Sequence, residues 1–201
     1  GMGSTAMTLP TADGSANQVL KTDGSGTLSW TANSGSGGAI DGLSDAKLGG
    51  TDFTNSIIIG HQTTGTLDAA ERNTAVGIGS LDAITSGDMN TAIGHKALTS
   101  NTTGSSNTAS GDYSLYANTT GGKNTASGEY SLFGNSLGNY NTASGYYSLS
   151  NNTTGNYNTA SGSNSLQQNT TGGSNTASGY ASLNANTTGG SNTALGYTAG
   201  D

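Results

Sequence analysis

Asp112 and Glu129 hold matching places in neighbouring copies of a short repeat, and Asp82 and Asp88 bracket one expected turn. Paired carboxylates are the minimum equipment for general acid and base work on a glycosidic bond. Two single histidines, His61 and His95, and a loose trio of aspartates, Asp41, Asp45 and Asp52, offer ligand atoms for a divalent cation. None of these sets has the company its chemistry needs. Neither histidine has an acid at a metal-ligand spacing, and no nucleotide-binding loop or nucleophile elbow is present. The carboxylates read as a solvated edge and the histidines as surface residues, with the aspartate trio left as a second-rank Ca²⁺ candidate. We therefore expect no catalytic residue, no metal ligand and no cofactor, and expect that the chain is not an enzyme.

Tyrosine is the remaining side chain with recognition chemistry. All nine lie at or after residue 113. Ring faces beside amides and hydroxyls suit a sugar, which makes Tyr113, Tyr130, Tyr146, Tyr147, Tyr180 and Tyr197 candidate glycan contacts. The competing reading is structural: the rings ladder on one another or cover gaps between neighbouring chains.

These side chains are spaced by the repeat. Asn73, Asn90, Asn107, Asn124, Asn141, Asn158, Asn175 and Asn192 recur at intervals of 17 without insertion. The unit reads N-T-A-x-G-x-x-S-L-x-x-N-T-T-G-x-x, and stepping back from Asn73 reaches a worn first copy at Ser56. Seventeen residues are too few for a helical-hairpin repeat of about 34 or a propeller blade of about 40–45. Asn, Thr, Ser and Gly are poor helix formers, and no apolar period of three to four is visible. We expect two strands per unit, N-T-A-x-G and x-x-S-L-x, joined by glycine-containing turns, each unit forming one coil of a parallel β-solenoid. Identical side chains then stack into Asn and Thr ladders.

Alternation along the first strand sets its two faces. Ala75, Ala92, Ala109, Ala126, Ala143, Ala160 and Ala177, with Leu81, Leu98, Leu115, Leu132, Leu149, Leu166 and Leu183, are the expected core. The opposite face carries the column Val76, Ile93, Ser110, Ser127, Ser144, Ser161, Ser178 and Leu195, a candidate interface with other copies. Leu, Ile, Val and Phe make up only about 13 % of the chain, below the roughly 20 % of an ordinary core, so thin coils are expected to bury more surface against symmetry mates.

The charge balance excludes some partners. A net charge of −7 with no basic cluster argues against nucleic acid, and no apolar run approaches the roughly 18 residues of a membrane span. The absence of Cys removes disulfides and thiolate metal sites.

The N-x-A-x-G phrase resembles the head repeats of trimeric autotransporter adhesins. That resemblance implies a left-handed parallel β-roll with three chains side by side, over about 145 of the 201 residues. The adhesin unit is shorter. The longer form here, with its added N-T-T-G turn, is more similar to repeats of bacteriophage tail fibres. Leu9-Pro10-Thr11-Ala12-Asp13-Gly14, followed by Gln18 to Trp30, is also similar to a tail-fibre segment, and on its own reads as a hairpin turning at Asp23-Gly24-Ser25-Gly26.

The expected organisation is a tag remnant at 1–4, a hairpin segment at 5–30, a Ser/Gly linker and lead-in at 31–55, and a β-roll array at 56–201. The function implied is a structural and adhesive segment of a homotrimeric virion tail fibre that contacts a host surface, its polysaccharide included. A bacterial cell-surface adhesin head is the alternative source. The sequence also admits an ice-binding solenoid, because five successive coils carry Thr-Ala-Ser.

Overall fold

The computed structural model describes residues 8–12, 18–22, 24–25, 27–32, 46–50, 53–59 and 70–201. The chain divides into two units, Gly1–Leu43 and Ser44–Asp201.

In the first unit β1 (Gln18–Thr22) pairs antiparallel with β2 (Leu28–Ala32), from Gln18 opposite Ala32 to Thr22 opposite Leu28. This is the expected hairpin, running slightly past its expected end at Trp30. Gly24, at φ +82°, takes the turn conformation that a side chain disfavours. The Leu28 N–H donates to the Thr8 carbonyl at 3.0 Å and the Trp30 indole N–H to the Ala12 carbonyl at 2.8 Å, which ties residues 8–12 to the hairpin.

The second unit holds one ten-stranded sheet. It begins with β3 (Ala46–Gly50) antiparallel to β4 (Phe53–Ile59). Eight three-residue strands follow: β5 (Thr74–Val76), β6 (Thr91–Ile93), β7 (Thr108–Ser110), β8 (Thr125–Ser127), β9 (Thr142–Ser144), β10 (Thr159–Ser161), β11 (Thr176–Ser178) and β12 (Thr193–Leu195). From β4 onward every pair is parallel and in register with the repeat, so from β5 to β12 Thr lies beside Thr and Ala beside Ala from coil to coil. The unit is a parallel β-solenoid, and at about 4.8 Å per step β4 to β12 span roughly 38 Å. The worn first copy joins it, with Ile57 opposite Thr74 and Ile58 buried in the alanine column.

The expected second strand does not form. Only T-A-x is a strand, and the stretch through S-L is a chain of turns. The cause is backbone conformation: the leucines of the ninth place sit at φ +49° to +52°, a left-handed corner that no strand contains. Such a corner costs about 1–2 kcal/mol for a residue with a Cβ. Burying the whole Leu side chain returns roughly 1.5–3 kcal/mol, so the corner persists because it drives the leucine inward. The seventeenth place, and the seventh from Lys96 onward, are also left-handed without glycine, as at Ser174 and Tyr113. The fifth and fifteenth places demand glycine. At Gly145, φ +132°, a Cβ would lie 2.6 Å from the Gly162 carbonyl carbon of the next coil.

The expected alanine and leucine core is present, and every member up to Leu166 is fully buried. It is half of the interior. Asn73 and its repeats up to Asn175, and Asn101 with its twelfth-place repeats up to Asn169, are buried alongside. That amide content is why so few large aliphatic residues suffice for a packed coil.

Candidate functional site

Each coil presents an amide interior, a hydroxyl face and two edges. The interior is fixed by two asparagine columns that converge on one carbonyl. Asn124 Nδ2 donates to Asn107 Oδ1 at 3.1 Å and to the Gly138 carbonyl at 2.8 Å. Asn135 Nδ2 donates to Asn118 Oδ1 at 2.9 Å and to the same Gly138 carbonyl at 3.1 Å. The arrangement repeats down to Asn175 and Asn186 on Gly189. Buried amides without partners would cost several kcal/mol, so these columns are stable only as complete ladders. The N-T-T sequons at Asn101, Asn118, Asn152 and Asn169 belong to this interior and present no amide at the surface. Sequence reasoning expected Asn ladders but did not count them in the core. The signal was the pairing of two fixed asparagines with the fixed glycine of the fifteenth place.

The hydroxyl face is the outer side of β5 to β12. Thr and the fourth-place residue point out while Ala points in, and the Thr-Ala-Ser strands from β7 to β10 all follow this pattern. Val76 (43 % exposed), Ile93 (48 %) and Leu195 (80 %) stand open in the single chain at the ends of the serine column Ser110, Ser127, Ser144, Ser161 and Ser178. Hydroxyls repeat at about 4.8 Å between coils and roughly 6.7 Å along each strand. No charged side chain lies on this face.

One edge carries rings on its sixth, seventh and tenth places. Tyr113 stacks on Tyr130 (5.2 Å between centroids, 5° between planes) and Tyr130 on Tyr147 (4.8 Å, 17°). Tyr116 stacks on Phe133 beside them at 5.1 Å. His95 closes the open end of Tyr113 edge-on at 5.0 Å, and its backbone N–H donates to Asp112 Oδ1. Three of the six candidate glycan tyrosines, Tyr113, Tyr130 and Tyr147, thus cover one another's faces. Tyr146 stands at 80° to Tyr147, and Tyr180 stacks on Tyr197 at 5.2 Å with both rings exposed. Desolvation within the stack raises the pKa of Tyr130 and of Tyr146, with Tyr147 adding to each. On the opposite edge Tyr140 stacks on Tyr157 at 4.9 Å. There the Lys123 ammonium donates to the Tyr140 hydroxyl at 2.7 Å, and this bond holds the lysine pKa above its ordinary value.

The acid groups are spent on the edges. Asp88 Oδ1 accepts the Glu71 N–H at 2.8 Å, and Glu129 is exposed in the coil after Asp112. Among the described residues no three His, Asp or Glu side chains are grouped to hold a metal ion. His61, Asp41, Asp45 and Asp52 lie outside the described residues.

No family model, curated protein or solved structure matches this chain. The described residues contain no helix long and apolar enough to cross a membrane.

Proposed function

We propose that this solenoid is a structural and adhesive segment of a homotrimeric fibre, a phage tail fibre that contacts the host cell surface. The observation that carries the reading is the uncharged outer face of β5 to β12. Val76, Ile93 and Leu195 are exposed there by a chain otherwise poor in apolar residues. Val76 and Ile93 lie side by side on neighbouring coils and Leu195 stands at the far end of the column, so the face offers apolar contact at both of its ends. Three copies meeting through this column would bury them and let the serines hydrogen-bond across the axis. The left-handed winding, the extracellular virion location and the absence of catalysis belong to the same reading, with a bacterial surface adhesin as the other setting for it. Sedimentation tests it: a species of three times the 19.7 kDa chain mass is expected, and a folded monomer defeats it.

A second reading follows from the same face left open. Its in-register Thr and Ser hydroxyls form a regular grid, which is the arrangement an ice-binding solenoid needs. Thermal hysteresis at millimolar protein supports that reading, and its absence in a folded monomer removes it.

A further inference from the structure

The edge that carries Lys123, Tyr140 and Tyr157 has a second column beside it, at the sixteenth place of each coil. There a side-chain oxygen accepts the backbone N–H of the coil before. Asn139 Oδ1 accepts from Gly122 at 2.8 Å, and Asn156 Oδ1 from Asn139 at 2.7 Å. Each of these amides also donates to the carbonyl two residues earlier, Asn139 to Leu137 at 2.8 Å and Asn156 to Thr154 at 3.0 Å. The next two coils hold Gly173 and Gly190 at this place. No described residue accepts the Asn156 N–H or the Gly173 N–H, and none donates to the Thr171 carbonyl. The open volume lies directly over the donors. A Cβ at Gly173 would stand 3.7 Å from Asn156 N, and one at Gly190 would stand 3.8 Å from Gly173 N.

The ring row of the seventeenth place ends at the same coil. The Lys123 ammonium lies 4.7 Å from the Tyr140 ring centroid, and Tyr157 stacks on Tyr140 from the next coil at 4.9 Å and 12°. Beyond Tyr157 the column continues as Ser174 and Ser191, which are too small to cover a ring. Tyr157 is 62 % exposed. Its orientation is set by the stack, so little rotamer entropy remains to be lost on binding.

We propose that this end of the two columns binds a neutral glycan containing N-acetylhexosamine. Its acetamido group lies where Gly173 leaves out an asparagine amide, and a sugar face lies on Tyr157. The proposal rests on the adhesive reading above and names the class of glycan and its place. The template is the chain itself. Asn-Tyr occurs at 139–140 and at 156–157, and the guest continues both columns by one coil. An acetamido carbonyl is the kind of acceptor that Asn139 and Asn156 present to the same backbone donors, and an acetamido N–H suits the Thr171 carbonyl. The step between coils is about 4.8 Å, so a ring laid on Tyr157 takes the room that Tyr157 takes on Tyr140. A ring face with a few fixed polar groups beside it is the usual make-up of a small-molecule site. From Asn141 to Gly200 there is no charged residue, so an anion finds no counter-charge and the class is neutral.

The column contains its own control. Gly122 leaves the Ser105 N–H open in the same way, with a Cβ placed 3.7 Å from Ser105 N. Its neighbours at the seventeenth place are Ser106 and Lys123, so that donor has no ring beside it.

The test is an amide-resolved NMR titration of the whole chain with the methyl glycosides of N-acetylglucosamine and N-acetylgalactosamine. Methyl glucoside is the probe without an amide, and sodium acetate is the anionic one. At least one N-acetylated glycoside is expected to shift the amides of Asn156, Gly173 and Ser174 and to leave Ser105 unmoved. Two variants complete the columns with residues that the preceding coils already hold there: Gly173→Asn and Ser174→Tyr. Tyr140 and Tyr157 adopt φ +57° and +61° at that place, close to the +58° of Ser174, so the second variant keeps the backbone. Each is expected to weaken binding about tenfold or more, with an unchanged cooperative melt. The proposal falls if neither N-acetylated glycoside shifts those amides, or if Ser105 moves as much as Asn156. It falls equally if methyl glucoside or acetate binds as well, if both variants bind as the parent does, or if Tyr157 is shielded in the assembled protein. Failure of the site leaves the trimer mass intact, whereas failure of the fibre reading shows itself as a monomer.

Discussion

Asn135 shows how much one side chain carries. Its amide donates to Asn118 Oδ1 at 2.9 Å and to the Gly138 carbonyl at 3.1 Å, and its oxygen accepts from Asn152 at 2.8 Å. Asn135→Ala leaves Gly138 its bond from Asn124 and leaves Asn152 its bond to Gly155, but strips Asn118 Oδ1 inside the core. The expected loss is about 2–4 kcal/mol in a denaturant titration, from the orphaned acceptor and the cavity together. Exposed Thr142→Ala, by contrast, should stay within about 0.5 kcal/mol. Ser174 makes the opposite case. It is exposed at φ +58° and its N–H donates to the Asn156 carbonyl, a bond that any residue but proline retains. Ser174→Val should cost about 1–2 kcal/mol, since a β-branched residue fits the left-handed region worst, while Ser174→Gly should be neutral to slightly stabilising. At this scale the sequence was legible where side chains are apolar: the alanine and leucine columns follow from alternation. The buried asparagines were not, because polarity ordinarily assigns an amide to solvent and only a complete ladder makes the interior its better place.

The coil as an element depends on the glycine column of the fifth place. A Cβ at Gly145 would meet the Gly162 carbonyl carbon at 2.6 Å and its oxygen at 2.7 Å, and backbone cannot move aside as a side chain can. Gly145→Ala should lose at least about 3 kcal/mol, or force the fifth and sixth coils apart, with amide-exchange protection lost from β9 and β10 first. Ser144→Ala, next to it on the exposed face, should melt within a few degrees of the parent. The coil's period was readable and its second strand was not. Strand propensity alone suggested S-L as extended chain. What decides the conformation is the need to turn several times within each short unit, and that need puts leucine at a corner.

The whole solenoid is quasi-one-dimensional, each coil touching only its neighbours. Removing residues 124–140 joins Lys123 to Asn141 and restores every column, so a cooperative β-rich melt is expected to survive. Removing half as many residues breaks both asparagine ladders, and no such melt is expected; circular dichroism separates the two. The parallel sheet and its register were legible because the spacing never varies. What covers the hydroxyl face was not, since exposure in one chain is the same whether ice, water or a second copy covers it.

The ladder hydrogen bonds of β5 to β12 all run along the solenoid's long axis. A pull between its ends therefore loads them in series, one coil at a time, and not side by side as in a shear-loaded sheet. Each coil that lets go releases one repeat of chain, which lengthens from about 4.8 Å of rod to roughly 56–61 Å when extended. Stretched between two anchored ends, such a molecule would yield in equal steps under a nearly constant force, and it would re-form coil by coil when the load is released.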